Sequence, residues 1–311
     1  MSDLRLRAGL FVLGSWALLA ATAPLLPLRD PNAQPDGTVL RNLAPMSVVT
    51  VAVFPDGSER YANELRRDAG GGVSLRRGET WTQAPGEPVE LRRARYVLGT
   101  DALGRDLLSR VVWGARVSLV AGLLAAFIAV AIGGAVGLAA GVLGGRVDAL
   151  LMRVTDAALA IPRLFLLLLL AALFRPSLTM IVLLVGCTTW MAAARLVRGE
   201  TLSIREREFV AAAHAAGASP LRVAMRHVLP QTAAVLAVEA ALRLGQAVLL
   251  EASLSFLGLG IPPPAASWGG LIADGRDRLL DAWWIATWPG LALAGVVIAA
   301  SLVADGARDR L

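Results

Sequence analysis

Long apolar blocks separated by polar segments dominate this chain. Six blocks run for about 18 residues or more, the length that an α-helix needs to cross the hydrocarbon core of a bilayer. They occupy approximately residues 8–28, 117–143, 157–174, 177–196, 231–250 and 283–303. The pattern therefore predicts an all-α polytopic membrane protein with six transmembrane helices.

The polar segment after the first block is the exception to this helical pattern. Within residues 29–96, Ser47–Phe54 is rich in β-branched residues and precedes the turn signal Pro55-Asp56-Gly57. Shorter strand-like stretches recur near Val73–Leu75 and Val89–Leu91. We interpret the segment as a small β-rich insert outside the membrane, and a disordered loop is the alternative.

The first apolar block partly resembles a secretory signal peptide, because basic residues precede an apolar run that ends in small residues. The block is longer than the roughly 7–15 residues of a signal-peptide core, and Pro24 directly follows Ala23, where cleavage would occur. We interpret it as an uncleaved helix. The predicted division is an N-terminal transmembrane helix over residues 1–28, the insert over residues 29–96, and a transmembrane core over residues 97–311.

Basic residues limit the catalytic roles open to this chain, because all 30 of them are Arg and none is Lys. A phosphate-binding loop of the G-x-x-x-x-G-K-[ST] kind needs its Lys to reach the nucleotide phosphates. This chain cannot contain that loop, so any ATP that drives its function must bind to another chain. We therefore expect this chain to have no ATPase site of its own.

Composition narrows the remaining classes. The chain is 56% hydrophobic and 17% charged, against about 25% charged in soluble proteins. Its net charge of +6 comes from Arg between apolar blocks, which is typical of cytoplasmic loops and not of a nucleic-acid surface. His214 and His227 lack partners at metal-ligand spacing, and no G-x-S-x-G motif is present. We expect no catalytic residue, cofactor, metal or nucleic acid, and a membrane-embedded enzyme is disfavoured.

The distribution of Arg predicts orientation, because short cytoplasmic loops carry an excess of basic residues. Six spans place both termini on the same side of the membrane. The loops after the second and fourth spans lie on that side too, and Arg residues are concentrated in these loops and at the termini. These residues are Arg5, Arg7, Arg146, Arg153, Arg195, Arg198, Arg205, Arg207, Arg222, Arg226, Arg308 and Arg310. We predict a multi-pass protein of the cell (inner) membrane with cytoplasmic termini, an external insert and an external loop near residues 258–282.

Glycines in the second block predict close helix packing. Gly133, Gly137, Gly141 and Gly145 recur every four residues and so lie near one helix face. A stripe of this kind lets another helix approach closely. It predicts a tight helix pair and gives no information on substrate.

The polar stretch between the fourth and fifth blocks predicts a helical hairpin. Ser203–Glu206 fits a capping box, which predicts a helix start there, and Glu208–Ala216 consists mainly of small, helix-favouring residues. Gly217 suits a helix end, and Ser219-Pro220 suits the start of a second helix that ends before Leu229-Pro230. We interpret the hairpin as a docking element for a partner protein, and a plain solvated hairpin is the alternative.

Polar residues inside the apolar blocks are candidate functional groups, because charges are costly at the bilayer centre. Glu239 and Arg243 are four residues apart and can pair along one helix face. A self-neutralised structural pair is the alternative for them, and a side chain that reaches toward the cytoplasm is the alternative for Arg163. The candidates for the lining of a translocation path are Arg163, Glu239, Arg243, Gln246 and Glu251.

The stretch Glu208–Pro230, EFVAAAHAAGASPLRVAMRHVLP, resembles the EAA loop of binding-protein-dependent ABC importer permeases. That loop reads E-A-A, three residues, Gly, and a spacer that leads to an apolar residue and Leu-Pro. Ala211 stands where the family has a Glu that contributes to contact with the ATPase subunit. The matching positions are Ala212, Ala213, Gly217, Leu229 and Pro230. The resemblance implies that residues 199–230, with Glu208 at the start of the similar stretch, form a cytoplasmic coupling loop.

The resemblance extends to the dipeptide, oligopeptide and nickel branch of these permeases. Leu98–Arg110, LGTDALGRDLLSR, is similar to the segment before the second span in that branch. Further similar segments are Gly114–Leu119, Ala194–Glu200, Glu251–Gly260, Ser267–Gly269 and Asp305–Asp309. The resemblance covers residues 98–311, whereas an insert near residues 36–95 is longer than the family leads us to expect.

The resemblance implies six transmembrane helices of the type I ABC importer permease kind and transport by alternating access. This chain would be the second permease of a pair, and a paralogous permease would form the path with it. Two ABC ATPase subunits and an extracytoplasmic solute-binding protein would complete the importer. Peptides are the first candidate substrate, and nickel or another small solute is the alternative. An ATP-independent polytopic transporter is disfavoured, because it would not need the docking element.

Overall fold

The computed structural model describes residues 2–67 and 72–310, apart from the side chains of Ser2 and His214. Helices account for most of the described chain. They are α1 (Ser2–Thr22), α2 (Leu107–Leu143), α3 (Gly145–Ala160), α4 (Arg163–Leu173), α5 (Leu178–Thr188), α6 (Met191–Arg205), α7 (Glu208–Ala215), α8 (Pro220–Val223), α9 (Leu229–Phe256), α10 (Trp268–Arg276) and α11 (Trp284–Arg308). A 3-10 turn, Ala23–Leu25, follows α1, and a π turn, Ala224–Val228, joins α8 to α9.

The chain divides into two compact units. The first comprises Met1–Leu18, Val117–Pro262 and Leu293–Leu311, and its described secondary structure is helical. The second comprises Leu19–Arg116 and Pro263–Ala292, and it contains the strands and α10. The candidate path and docking residues all belong to the first unit.

Four helical stretches in the described chain are long and apolar enough to cross a membrane. They are Asp3–Leu25, Leu107–Leu143, Pro220–Phe256 and Trp284–Arg308. The pairs α3–α4 and α5–α6 also meet the criterion, but they are bent by 83° and 42° at their breaks. Six spans result if each bent pair crosses the membrane once, so the count of six stays a prediction.

The third and fourth apolar blocks are not the uninterrupted helices that the pattern predicts. The block over residues 157–174 breaks at Ile161-Pro162, where Ile161 is extended with φ −77° and ψ 124°. Proline disfavours the helical conformation of the residue before it and lacks the amide hydrogen that continues a helix. The fourth block breaks before Met191, and α6 then runs to Arg205, beyond the predicted end near residue 196.

Other helix boundaries also differ from the predicted ones. The first helix ends at Thr22, ahead of two prolines, and α2 begins at Leu107 instead of near residue 117. The predicted external loop near residues 258–282 contains α10, whose N-cap Ser267 accepts a hydrogen bond from the Gly270 amide at 3.1 Å. Capping therefore starts a helix in a segment whose Pro and Gly content predicts only a loop.

The insert forms two small antiparallel sheets. Its strands are β1 (Ser47–Val53), β2 (Glu59–Ala62), β3 (Glu64–Arg67), β4 (Val73–Arg77), β5 (Thr80–Gln83) and β6 (Glu90–Tyr96). The orders are β2-β1-β6 and β3-β4-β5. Ala52 and Ala62 of the first sheet share one buried cluster with Val73 and Leu75 of the second. The strand predicted over Ser47–Phe54 therefore forms β1, and an apolar core joins the sheets.

Tight backbone contact between α2 and α6 organises the helical unit. A Cβ atom added to Gly133, Gly137 or Gly141 would lie within 3.0 Å of α6 or its N-cap Trp190, closer than real Cβ atoms approach. The predicted stripe thus meets a helix at three positions. Gly145 does not take part, because it lies at the start of α3 with φ +53° and open space around it. We call this contact the glycine seam.

Candidate translocation and coupling site

The docking hairpin, residues 208–230, is built from two helical arms. The first arm, α7, is followed by Gly217 at φ +80°, a left-handed conformation that Gly adopts without the steric penalty of a Cβ. The Ala218 amide donates to the Ala213 carbonyl at 3.0 Å across this turn. Ser219 caps α8 by accepting from the Arg222 amide at 3.4 Å, with Pro220 in the first turn. The predicted helix end and second start are confirmed.

The predicted capping box at Ser203 is wrong. Helix α6 continues through Ser203 to Arg205, and α7 begins at Glu208. Ile204 is fully buried in an apolar cluster with Val210 of α7. Burial of that side chain favours continuation of α6 over the local capping signal.

The predicted helix end before Leu229-Pro230 is also wrong. The Leu229 amide donates to the carbonyl of Ala224, five residues earlier, and this π turn leads directly into α9. The widened turn accommodates Pro230, which has no amide hydrogen. The second arm is therefore continuous with a helix that reaches Phe256.

The hairpin has an apolar inner side and an exposed outer side. Ile204, Val210, Val223 and Val228 form its buried cluster, and Leu138 and Val142 of α2 pack against that cluster. Among the predicted coupling residues, Glu208, Ala211, Ala212, Gly217 and Pro230 are exposed, whereas Ala213 and Leu229 are partly buried. Most of the predicted contact residues thus face outward on a hairpin fixed from behind.

An ion pair ties the helix that carries the hairpin to α3. Arg198 of α6 donates to Asp148 of α3 through two parallel hydrogen bonds, the second with an Nη2–Oδ2 distance of 2.6 Å. This bidentate arrangement is the strongest geometry of an arginine–carboxylate pair. The two residues are 50 positions apart, so no local sequence signal indicated their contact.

The predicted Glu239–Arg243 pair is present in α9. Arg243 donates to Glu239 with an Nε–Oε1 distance of 2.6 Å and to Gln246 with an Nη1–Oε1 distance of 2.8 Å. The side chains of Glu239 and Arg243 are 6% and 8% exposed. Both line a cavity of about 500 Å³ between α6, α9 and α11, together with Glu200, Asp305 and Arg308.

Glu251 belongs to a different polar group. It is 1% exposed and accepts hydrogen bonds from Ser118 of α2 at 3.1 Å and from Ser255 at 2.8 Å. Twelve residues of helix place it about 18 Å along α9 from Glu239. The structure therefore does not bring all the candidate path residues together, and Ser118 is a partner that the sequence did not indicate.

Arg163 is the first residue of α4, directly after the Pro162 break. It is half-buried and lines a separate cavity of about 190 Å³. Arg163 therefore lines a different cavity from the one that Glu239 and Arg243 line.

Within residues 2–67 and 72–310, no group of three or more His, Cys, Asp or Glu could hold a metal ion. The side chain of His214 lies outside the described part of the structure.

Comparison with known proteins identifies the family. The inner membrane component of binding-protein-dependent transport systems matches residues 133–311, which include Arg163, the docking hairpin and α9. The chain belongs to this family. This permease is 42% identical over 216 residues to the oligopeptide transport system permease protein of Escherichia coli (strain K12), covering 70% of this chain and 72% of the relative. It is 41% identical over 223 residues to the di/tripeptide transport system permease protein of Pseudomonas aeruginosa (strain UCBPP-PA14), covering 72% and 74%.

A solved structure shares the fold. The MetNI methionine ABC transporter, in an inward-facing conformation, matches with a TM-score of 0.54 and 19% identity over 66% of this chain and 98% of its own. The likeness concerns the fold alone. With the family match, it makes the permease a multi-pass membrane protein with the fold of type I ABC importer permeases.

Proposed function

We propose that this permease is the transmembrane subunit of an ATP-driven importer of peptides. The docking hairpin carries the proposal, because it is an outward-facing element held against α2 and α6 by a buried core. The relatives named for oligopeptide and di/tripeptide transport support peptides as the substrate.

The proposed importer lies in the lipid bilayer and has four kinds of subunit, of which this chain is one. A paralogous permease forms the path with this chain, and two separate ATPase subunits dock on the hairpins. An extracytoplasmic binding protein delivers the peptide. Residues 29–96 form the external insert in this arrangement, and residues 199–230 form the cytoplasmic coupling loop within the core over residues 97–311.

The path in this proposal is lined by Arg163, Glu239, Arg243 and Gln246. Glu239 and Arg243 border a cavity and neutralise each other, so they add polarity without net charge. Glu251 is fully buried against Ser118. We assign Glu251 the positioning of α9 against α2 within that path.

Reconstitution tests the function. Proteoliposomes that contain both permeases and both ATPase subunits should take up trialanine only with ATP and the binding protein. Nickel uptake under the same conditions is the competing outcome and would contradict the peptide assignment. ATP-independent uptake by this chain alone would contradict the importer itself.

Cysteine labelling tests the orientation, with cytoplasmic termini in the inner membrane. In a Cys187→Ser background, an impermeant thiol reagent should label Glu79→Cys in the insert and Leu280→Cys, which is 97% exposed. It should not label Ala215→Cys in the docking hairpin of intact cells. Labelling at position 215 without labelling at positions 79 and 280 would reverse the proposed orientation.

A further inference from the structure

Arg163 is a cation without an anionic partner in the described part of the chain. Its guanidinium takes part in no ion pair and no hydrogen bond there, in contrast to Arg243 and Arg198. A half-buried charge in an apolar helical region is costly unless it is compensated. An anion from outside this chain would compensate that charge.

The cavity beside Arg163 lies where two broken helix pairs meet. Ile161, Pro162 and Arg163 line it from the α3–α4 break, and Thr188 and Met191 line it from the α5–α6 break. Arg163 is the only charged residue in this lining. The Thr188 hydroxyl donates its hydrogen to the Leu184 carbonyl at 2.5 Å, so that hydrogen is already used within α5. An anion that enters the cavity therefore meets one available charged group.

The surroundings of the cavity favour an anion. The charge of Arg243 is balanced by Glu239, which accepts a hydrogen bond from it at 2.6 Å. Arg163 has no comparable carboxylate. The unbalanced positive charge is therefore that of Arg163, because Glu239 and Arg243 neutralise each other.

We propose that Arg163 reads a carboxylate of the transported substrate, most directly the C-terminal carboxylate of a peptide. The planar guanidinium matches a carboxylate through two parallel hydrogen bonds. A cavity of about 190 Å³ is below the roughly 300–1,000 Å³ of sites that enclose a drug-sized ligand. It therefore receives one end of a peptide and leaves the remainder in the path. The proposal rests on the proposed function of peptide import.

The test compares two probes in the complete reconstituted importer. They are trialanine with a free C-terminal carboxylate and trialanine with a C-terminal amide, both at concentrations that saturate the binding protein. The measured quantity is the ratio of their initial uptake rates per inserted complex. A fixed binding protein contributes equally to wild type and variants, so a change in the ratio reports on the permease.

Arg163→Gln should lower the uptake ratio by roughly ten-fold, because it removes a charge-assisted hydrogen bond to the carboxylate and leaves the amide contacts unchanged. Arg163→Lys should lower the ratio several-fold, since Lys keeps the charge but cannot form the two parallel hydrogen bonds of a guanidinium. Arg153→Gln, at an exposed position of α3, is the matched control and should preserve the wild-type ratio.

Several outcomes would overturn the assignment. Equal loss of both probes in Arg163→Gln would mean that Arg163 pairs with an acid of another subunit or only supports the fold. An unchanged ratio in either Arg163 variant, or no carboxylate preference in wild type, would also refute it. If Arg163→Gln fails to insert into the membrane, the ratio of the two uptake rates in Arg163→Lys tests the assignment instead. If wild type imports neither probe, the proposed function fails instead.

Discussion

The glycine seam and the polar residues of α9 show two ways of building a helix contact in one membrane unit. The seam brings helix backbones together and leaves no space for a Cβ at Gly133, Gly137 or Gly141. Along α9, Glu239 and Arg243 border a cavity of about 500 Å³. Close-packed contacts move as one body, whereas a polar, cavity-lined face can change its partners. In the proposed mechanism, the seam would transmit motion between helices, and the α9 face would contact the substrate.

The largest expected effect breaks the seam. In Gly137→Val, the added side chain would collide with the backbone of α6 at Ala194 and Arg198. Helix backbone cannot yield as a flexible side chain can, so we expect little or no folded permease. The measurement is the monodisperse fraction in detergent per amount of protein in the membrane.

The control for the seam is a glycine in the same helix pair with open space around it. Gly199 of α6 has no atom within 4 Å of an added Cβ. Gly199→Ala should preserve the folded yield or raise stability by about 0.5–1 kcal/mol. Equal yields for Gly137→Val and Gly199→Ala would refute the seam as a rigid contact.

The second effect concerns the buried charges of α9. Glu239→Ala leaves the buried Arg243 with Gln246 and without its carboxylate, which should lower the free energy of unfolding by about 3–5 kcal/mol. Thermal unfolding in detergent measures the loss. Wild-type stability in this variant would contradict the pairing.

Removing both charges distinguishes structure from transport. Glu239→Gln combined with Arg243→Gln removes both charges of the pair and leaves neither position with an unpaired charge, so stability should return close to the wild-type value. Loss of uptake in this stable double variant would support a place in the path. Retained uptake would make the pair purely structural.

Local signals predicted much of the fold and of the candidate site. The apolar blocks located the long helices, and Gly217 and Ser219 marked the turn of the docking hairpin. The four-residue spacing of Glu239 and Arg243 gave their pairing. Each of these features depends on backbone conformation or helix geometry over a few residues, which a sequence displays directly.

Features that depend on tertiary contact were missed. Ser118 and Glu251 are 133 residues apart, and Asp148 and Arg198 are 50 apart, so neither pair has a local pattern. Burial of Ile204 overrode the capping signal at Ser203. The break within the third block is marked in the sequence by Pro162, whereas no proline marks the break before Met191 in the fourth block.

The third effect tests the hairpin that the seam carries. Gly217→Val forces a residue with a Cβ into a left-handed conformation, which costs roughly 1–2 kcal/mol and should change the angle between the two arms. Ala212 is exposed on α7, so Ala212→Glu should preserve the fold and add bulk and charge at the docking face. Both variants should insert into the membrane normally. Less ATPase subunit should co-purify with each inserted permease than with the wild type.

The control for the hairpin lies in the insert. Arg76→Ala removes an exposed ion pair with Glu64 and should leave ATPase recovery and uptake unchanged. Normal recovery and normal uptake in both hairpin variants would mean that the hairpin is a solvated loop. The proposed coupling mechanism would then be wrong, whereas the family membership would stand.

The smallest expected effect loosens α3 from the helix that carries the hairpin. Asp148→Asn weakens the bidentate contact with Arg198, whose side chain is 33% exposed, so the cost should be only about 1 kcal/mol. Faster hydrogen exchange of α3 amides, with the α2–α6 seam still protected, is the expected result. Asp156→Asn is the matched control, because Asp156 and Arg195 are 4.0 Å apart and each 62% exposed. Equal exchange in both variants would show that the Asp148–Arg198 pair does not tie α3 to the seam.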